Sequence, residues 1–506
     1  MFARATVSGS KRCAPRVLYV QRRSVRLLQR RYSSSAPPAP APESSPAVSA
    51  LGSLTSELDK LSPRFDISAN QIQIIKSPTE FYETLKAKIS QAQRRIYLST
   101  LYIGKTEHEL IDTIRAALRA NESLKVSILT DSLRGTRETP HPSCATLLSG
   151  LVEDFGPERV EICMYHTPNL TGIRKAILPK RINEGWGLQH MKLYGIDDEI
   201  IMSGANLSND YFTNRQDRYH PFLPRGPQTI IPGGFELQWP STNASPAPLD
   251  NPSGFISSAT KALAPLLEPA SVTRKLDKET DTQVYPLAQL TPVLRPDTST
   301  ELPALLSILR KLAQPEFKGS RWTFTAGYFN MTPDVRDLLL RSNPSSATVV
   351  AASPWANGFY GSKGVSGMLP AAYTYLSRRF LDSVSRAGLG GQIELKEWRR
   401  GTVNQPGGWT YHAKGIWITL PSEQHPSVTL VGSSNYTKRS YSLDLEANCL
   451  VVTRNEGLKR KLSEEENWLQ EYAKVVDKDE FVKTERRVGL HVRIAMWIVT
   501  LVGGAL

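Results

Sequence analysis

From about residue 65 onward the chain alternates between two patterns of apolar positions. Arg95–Ile103 (RIYLSTLYI), Leu124–Thr130 (LKVSILT) and Val160–Tyr165 are short runs rich in β-branched and aromatic residues, which predicts strands. Between the first two, Glu107–Ala120 spaces its apolar residues by three and four and predicts an amphipathic helix. The same order returns in Trp322–Phe329 (WTFTAGYF), a helix near Asp334–Arg341, Ala347–Ala352 (ATVVAA) and Gln392–Trp398 (QIELKEW). Tyr102 and Tyr328 stand 226 residues apart, and His190 and His412 stand 222 apart. So steady an offset identifies two diverged copies of one α/β unit. The halves are expected at 65–240 and 275–476, with a joint at 241–274 that opens near the Pro/Ser/Asn-rich Pro240–Ser253. Glu456–Val476 predicts an amphipathic surface helix. Two such halves pack as a pseudo-symmetric pair, which sets equivalent strand ends opposite one another.

Each copy ends in the same constellation. The first reads His190-Met191-Lys192 through Asp197, then Ser203-Gly204-Ala205-Asn206; the second reads His412-Ala413-Lys414 through Thr419, then Gly432-Ser433-Ser434-Asn435. On a strand, positions i and i+2 share a face, so each histidine and its lysine point the same way. Eleven residues beyond each asparagine lies an acid, Asp217 after Asn206 and Glu446 after Asn435. These residue types suit a phosphoryl centre, which needs a nucleophile, a proton donor or acceptor, and positive charge on the nonbridging oxygens. One imidazole can attack phosphorus while the other moves the proton. The two lysines and two asparagine amides hold the oxygens, and an acid on each histidine would fix its tautomer and raise its basicity. His108, His141, His166, His220, His425 and His491 lack these neighbours and read as structural or exposed.

Composition narrows the class. With 506 residues, 40% hydrophobic and 22% charged, the chain is neither disordered throughout nor a polytopic membrane protein. Four cysteines without C-x-x-C spacing exclude a disulfide scaffold and a thiolate zinc site. The formal charge of +14 is concentrated in residues 1–32, which hold nine basic residues and no acid. Such an Arg-rich, acid-free, Ser-containing segment is the composition of a mitochondrial transit peptide, with a cut expected after Tyr32. Removing it leaves +5, a weak case for a nucleic-acid partner, and none is expected. Residues 33–64 are expected to form a linker, its Ser33–Pro46 stretch being rich in Ser, Ala and Pro.

The duplicated H-x-K with its trailing asparagine resembles the phospholipase D superfamily, whose signature is H-x-K-x4-D followed by a G-S-x-N-like turn. The resemblance spans roughly Phe65 to Val476. It implies two pseudo-symmetric phospholipase D-like α/β sandwich halves with one active site at their interface, and a phosphohistidine intermediate. Two departures stand out: Ser203-Gly204 inverts the usual Gly-Ser order, and Thr419 replaces the second motif's Asp. The complete first motif marks His190 as the expected nucleophile and His412 as the acid/base, an assignment the sequence leaves reversible. Asp197, Asn206, Asn435, Asp217 and Glu446 complete the expected catalytic set with Lys192 and Lys414.

Within the superfamily three stretches are similar to the mitochondrial CDP-diacylglycerol–glycerol-3-phosphate 3-phosphatidyltransferase family: Asp131–Arg137 (DSLRGTR), Ser353–Gly367 (SPWANGFYGSKGVSG) and Tyr411–Trp417 (YHAKGIW). That likeness implies CDP-diacylglycerol and glycerol 3-phosphate as substrates. Arg134, Arg137, Lys363 and Ser433 are then the candidate ligands for substrate oxygens. No cofactor is expected. A divalent ion could neutralise the CDP pyrophosphate, but no carboxylate cluster identifies a site. A phospholipase D-type phosphodiesterase or nuclease, a synthase for another headgroup, and a catalytically inert lipid-binding relative are the competing readings.

A diacyl substrate stays in the bilayer. Residues 477–506 supply a candidate contact, because Arg486, Arg487 and Arg493 precede the uncharged Ile494–Leu506 (IAMWIVTLVGGAL). As a helix that run would be about 20 Å long, short of the ~30 Å hydrocarbon core. It is expected to lie in an anionic interface with Trp497 at headgroup depth. The expected location is therefore the matrix side of the mitochondrial inner membrane, peripheral or monotopic.

Overall fold

The sequence pattern matures into two sheets of matching topology. The computed structural model describes residues 46–138, 141–177, 183–222, 245–269 and 280–501. The transit-peptide segment 1–32, the linker up to residue 45, parts of the joint and residues 502–506 lie outside the described residues.

In the first sheet Arg95–Ser99, Lys125–Asp131 and Val160–Tyr165 run parallel. Leu193–Ile196 pairs antiparallel with the first of them, and Glu199–Ser203 and Tyr219–Phe222 extend the sheet antiparallel to six strands. The second sheet repeats this order. Arg321–Ala326, Ser346–Ala352 and Ile393–Trp398 are parallel, and Lys414–Thr419, Val428–Gly432 and Glu446–Thr453 follow antiparallel. It reaches nine strands by adding Thr282–Gln289, Phe65–Ile67 and Ala473–Val475 at its edges.

Helices cover the outer faces. His108–Ala120 buries Leu110, Ile111, Ile114, Ala117 and Leu118 against the first sheet, as its three- and four-residue spacing requires. The inner faces meet each other: Met202 and Phe222 of the first sheet share a core with Trp417, Val431, Cys449 and Val451 of the second. The result is a helix–sheet–sheet–helix sandwich in which the two sheets contact directly.

A buried ionic network fastens this seam. The Arg218 guanidinium forks onto Glu465 at 3.0 and 2.8 Å and donates to the Leu430 carbonyl at 2.7 Å and to Thr429 Oγ1 at 2.9 Å. It stacks over the Trp417 ring at 3.9 Å. Glu465 also contacts His220 Nε2 at 2.8 Å and accepts from Trp417 Nε1 at 3.0 Å. Gly415 is required here, because a Cβ on it would stand 1.9 Å from the guanidinium.

Several expected boundaries fall differently. Part of the expected linker is the helix Pro46–Leu58, whose Ala50, Leu51, Leu54 and Leu58 join the core of the second half. Phe65–Ile67 pairs with Thr282–Gln289, so the first strand of the expected first half belongs to the second sheet. The joint contains the helix Pro252–Leu267, which packs Phe255, Ala259 and Leu263 between Tyr165 and Leu445. The expected surface helix at 456–476 ends at Trp468, and its Leu458, Leu462 and Glu465 are buried.

Candidate active site

Both histidines precede the antiparallel strand beside the central parallel one, at the edge where parallel strands end. Open α/β sheets commonly take ligands there. Each is tied to the opposite half through its backbone. The His190 amide donates to the Leu445 carbonyl at 2.9 Å, and the Leu445 amide donates to the Leu188 carbonyl at 2.8 Å. In the mirrored contact Thr410–Tyr411 pairs parallel to Arg215–Gln216, and the His412 amide donates to the Gln216 carbonyl at 2.9 Å.

The side chains cross the seam as well. His190 Nδ1 lies 2.9 and 3.0 Å from the two Glu446 oxygens, and His412 Nδ1 lies 2.7 Å from Asp217 Oδ2. The acid that follows one copy's asparagine therefore serves the other copy's histidine. Lys192 Nζ donates to the His190 carbonyl at 2.6 Å, and Lys414 Nζ donates to the His412 carbonyl at 2.9 Å. Lys414 Nζ also stands 2.7 and 3.2 Å from the two His412 ring nitrogens. The His190 side chain is 13% exposed, against 4% for His412. His190 is thus the more open of the two side chains.

Burial dominates the electrostatics. It pushes both imidazoles well below the usual histidine range, and the positive charges of Lys192 and Lys414 push each further. The basicity gain expected from the partner acids is therefore overridden by desolvation. Burial raises Glu446 to about 7 against the pull of Lys192, and raises Asp217 to about 6 against that of Lys414. Lys414 is lowered to about 8 by burial, with Asp217 and Glu446 opposing. Lys192 is lowered well below its usual range by burial, with Glu446 opposing. Each lysine feels both acids, and the two histidines feel each other, so the groups form one electrostatic cluster.

The remaining expected residues divide. Asn206 is buried and donates to Tyr211 Oη at 3.1 Å, and the side-chain oxygens of Asn206 and Asn435 have no hydrogen-bond partner. The Ser433 hydroxyl, expected to meet substrate oxygens, donates to Glu446 Oε2 at 2.5 Å and accepts from the Ala447 amide at 3.0 Å, so it orients Glu446. Its counterpart Gly204 lies against Asp217 and Lys414, where a Cβ would come within 2.6 Å of the carboxylate. The inverted Ser-Gly order thus makes room for the second lysine.

Asp197 is not in the site. It stands at the far end of its strand, roughly 16 Å from Lys192 at the usual strand rise. There it accepts from the amides of Gln93, Arg94 and Arg95 at 2.8, 2.7 and 3.0 Å. Thr419, its counterpart, is buried opposite Arg321 in the strand register. Arg137 is forked onto Glu184, which occupies the guanidinium expected to meet phosphate. Arg134 lies over the Tyr102 ring at 4.6 Å, and Lys363 is exposed on its loop.

Some neighbours went unread in the sequence. Tyr211 and Tyr328 each meet the His412 ring edge-on at 5.3 Å, one from each half. Arg215 donates to Tyr211 Oη at 2.9 Å and pairs with Asp210. Asp444 accepts from the Leu188 amide at 2.8 Å, and Asp131 accepts from those of Arg134 and Gln189, both at 2.9 Å, so two buried acids fix the chain beside His190. The repeat offset that linked Tyr102 with Tyr328 was the one available signal.

Among the described residues, His190, Asp444 and Glu446 each bring a ligand atom within 4.8 Å of the others. Those groups are already taken: Asp444 pairs with Arg439 at 2.7 Å, and Glu446 holds Ser433 and His190. The trio does not fit a resident cation.

Residues 85–218 match the family model described as "Cardiolipin synthase, PLD-like domain". The chain is 46% identical over 499 residues to the CDP-diacylglycerol–glycerol-3-phosphate 3-phosphatidyltransferase of Saccharomyces pastorianus, covering 93% of this chain and 94% of that one. It is 33% identical over 480 residues to the human mitochondrial protein of that name, covering 86% and 83%. Among solved structures it shares its fold with phosphatidylserine synthase from Haemophilus influenzae, at a TM-score of 0.68 and 21% identity over 90% of this chain and 98% of that one. With the duplicated His–Lys sites closed across the seam and this likeness along nearly the whole chain, the protein belongs to the CDP-diacylglycerol–glycerol-3-phosphate 3-phosphatidyltransferase family, on the phospholipase D fold.

Proposed function

We propose that the protein transfers the phosphatidyl group of CDP-diacylglycerol to glycerol 3-phosphate. The transfer releases CMP and forms phosphatidylglycerophosphate, the committed precursor of cardiolipin. The observation that carries the mechanism is the crossed pairing of each histidine with the other half's acid, which aims two imidazoles into one cluster.

With Nδ1–H donating to Glu446, the His190 Nε2 lone pair is free to attack the phosphatidyl phosphorus. The bond from phosphorus to the CMP oxygen breaks, and CMP leaves with the electron pair. A phosphomonoester ionises a second time near ~6, so this leaving group needs no proton. That suits a His412 held neutral by burial. In the second step the neutral His412 takes the proton of the glycerol 3-phosphate hydroxyl, whose oxygen attacks phosphorus and breaks the P–N bond to His190. Lys192 and Lys414 balance charge on the nonbridging oxygens, and the Asn206 and Asn435 amides complete the cradle. In this scheme Arg134, which lies over Tyr102, and the Gly358 end of the Gly-rich loop, which lies against Tyr328 and Arg215, receive the acceptor's phosphate.

The reading places the protein in the mitochondrion, on the matrix side of the inner membrane. The Arg-rich start of the sequence and the mammalian relatives named as mitochondrial support this. Among the described residues no helix is long and apolar enough to cross a membrane, which fits peripheral attachment to an anionic phospholipid surface. No nucleic acid and no cofactor enter this scheme.

The test is CMP release from CDP-diacylglycerol by purified protein offered glycerol 3-phosphate, serine or water. Release should depend on glycerol 3-phosphate and fall by about 10³-fold or more in His190→Ala and in His412→Ala. Equal release with serine or water would overturn the acceptor, and activity surviving both substitutions would overturn the shared site.

A further inference from the structure

Away from the catalytic cluster, the helix Leu369–Arg386 packs against the chain's C-terminal helix, Leu490–Leu501. Between that first helix and residues 481–493 lies a cleft of about 500 Å³ whose lining includes Tyr375, Arg378, Arg379, Asp382, Arg487 and Arg493. A second cleft of about 510 Å³ shares Arg379 and Asp382 and adds Arg336, Arg386 and Lys478. Among the described residues Asp382 is the one acid lining either cleft, and it faces Lys478 at 3.5 Å. Among the described residues no carboxylate lies within ion-pair distance of Arg378, Arg379, Arg487 or Arg493. Arg379 and Arg493 are instead held over the Tyr375 ring, at 5.9 and 5.7 Å. Arg486, expected to meet lipid, is buried and forked onto Glu397 at 2.6 and 2.5 Å; that pair anchors the segment and leaves its neighbours free.

The rim of this cationic cleft carries Val482, and the chain that follows its arginines adds further exposed apolar side chains. Leu490, Ile494 and Trp497 are 68%, 48% and 64% exposed, Val482 is also exposed, and Val492 turns inward. Unpaired guanidiniums beside exposed aliphatic and indole groups match a bilayer interface, where charge meets headgroups and the apolar side chains enter the acyl boundary. A guanidinium fork also suits phosphate geometry. A soluble phosphate would use the arginines but not the rim.

We propose that the cleft between Leu369–Arg386 and the C-terminal segment binds the phosphate of an anionic phospholipid within the membrane, with Val482, Leu490, Ile494 and Trp497 inserted beside it. The helix that carries the cleft also carries Tyr373, which stacks on Tyr328 at 5.6 Å next to His412. Membrane docking and the catalytic wall are thus built on one 18-residue element. The proposal rests on the membrane reading above, and its test is independent of turnover.

Full-length protein is sedimented with vesicles of phosphatidylcholine alone or mixed with phosphatidylglycerol. Wild type should pellet with the mixed vesicles only. Each arginine replaced by glutamine among Arg378, Arg379, Arg487 and Arg493 should weaken partitioning about 5-fold, and all four together about 100-fold or more. The fourfold variant should keep its activity on detergent-dispersed substrate, which also shows that it folds. Trp497→Ser should weaken pelleting without touching the charge. His412→Ala should pellet like wild type, which separates this proposal from the catalytic one. Undiminished pelleting of the fourfold variant, or equal pelleting on neutral vesicles, would overturn it. Competition by millimolar inorganic phosphate with no effect of Trp497→Ser would also overturn it, in favour of a soluble phosphate site.

Discussion

Replacing Arg218 by methionine would leave Glu465 buried with His220 and Trp417 and no full countercharge. Removing one partner of a buried pair costs about 3–5 kcal/mol, most of it the penalty of the stranded charge. The unfolding entropy of a chain this size is roughly 0.9 kcal/mol per kelvin, so the melting temperature should drop about 3–6 °C. Glu465→Gln in the same background removes the stranded charge and keeps an acceptor for Trp417 Nε1. The double variant should therefore be more stable than Arg218→Met alone. Scanning calorimetry or urea unfolding of the four-member cycle measures this. The wild-type advantage should also depend on pH. Burial alone would raise Glu465, but the Arg218 charge and the hydrogen bonds from Arg218 and His220 hold it well below the ordinary value of 4.5. A depressed carboxylate contributes its stability above that value and loses it as pH falls through the folded-state value. The gap between wild type and the double variant should therefore narrow below about pH 4.5. A melting temperature unchanged in Arg218→Met, or additive losses in the double variant, would refute the reasoning.

Three further outcomes follow from the site. Asp217→Asn and Glu446→Gln should each lower kcat by about 10³-fold with little change in KM, because the imidazole loses the partner that fixes its tautomer; steady-state kinetics with CDP-diacylglycerol reads this. Lys414, lowered to about 8 by burial, loses its charge above that pH, so kcat/KM should decline on the alkaline side; a rate still rising at pH about 9.5 would contradict its role. Asp197→Asn keeps the left-handed backbone at φ 52° but weakens the hold on three amides, so it should cost about 1–3 kcal/mol of stability while kcat stays within about twofold.

The paired histidines, lysines, asparagines and acids were legible because the chain states them twice at a fixed offset. Their crossing was not, since which acid meets which histidine depends on how two sheets face each other, and spacing within one copy is silent on that. The strand order could be read from short apolar runs, whereas Pro46–Leu58 and Pro252–Leu267 were hidden by Ala, Ser and Pro that normally mark linkers. Individual arginines were the least legible. Arg134 and Arg137 share a loop, yet one lies over Tyr102 and the other is bound to Glu184; Arg486 and Arg487 are neighbours, yet one is buried on Glu397 and the other lines a cleft. A guanidinium's partner comes from elsewhere in the chain, so its local sequence does not reveal it.

In the proposed mechanism His190 forms the covalent bond while His412 serves the same phosphorus from across the seam. The direct measurement is to mix the protein with CDP-diacylglycerol in the absence of glycerol 3-phosphate, quench in base to preserve a phosphoramidate, and map the phosphatidyl adduct by peptide mass spectrometry. One adduct is expected, on His190, accumulating in His412→Ala and discharged by glycerol 3-phosphate in wild type. An adduct on His412, or CMP release with neither histidine ever modified, would contradict it.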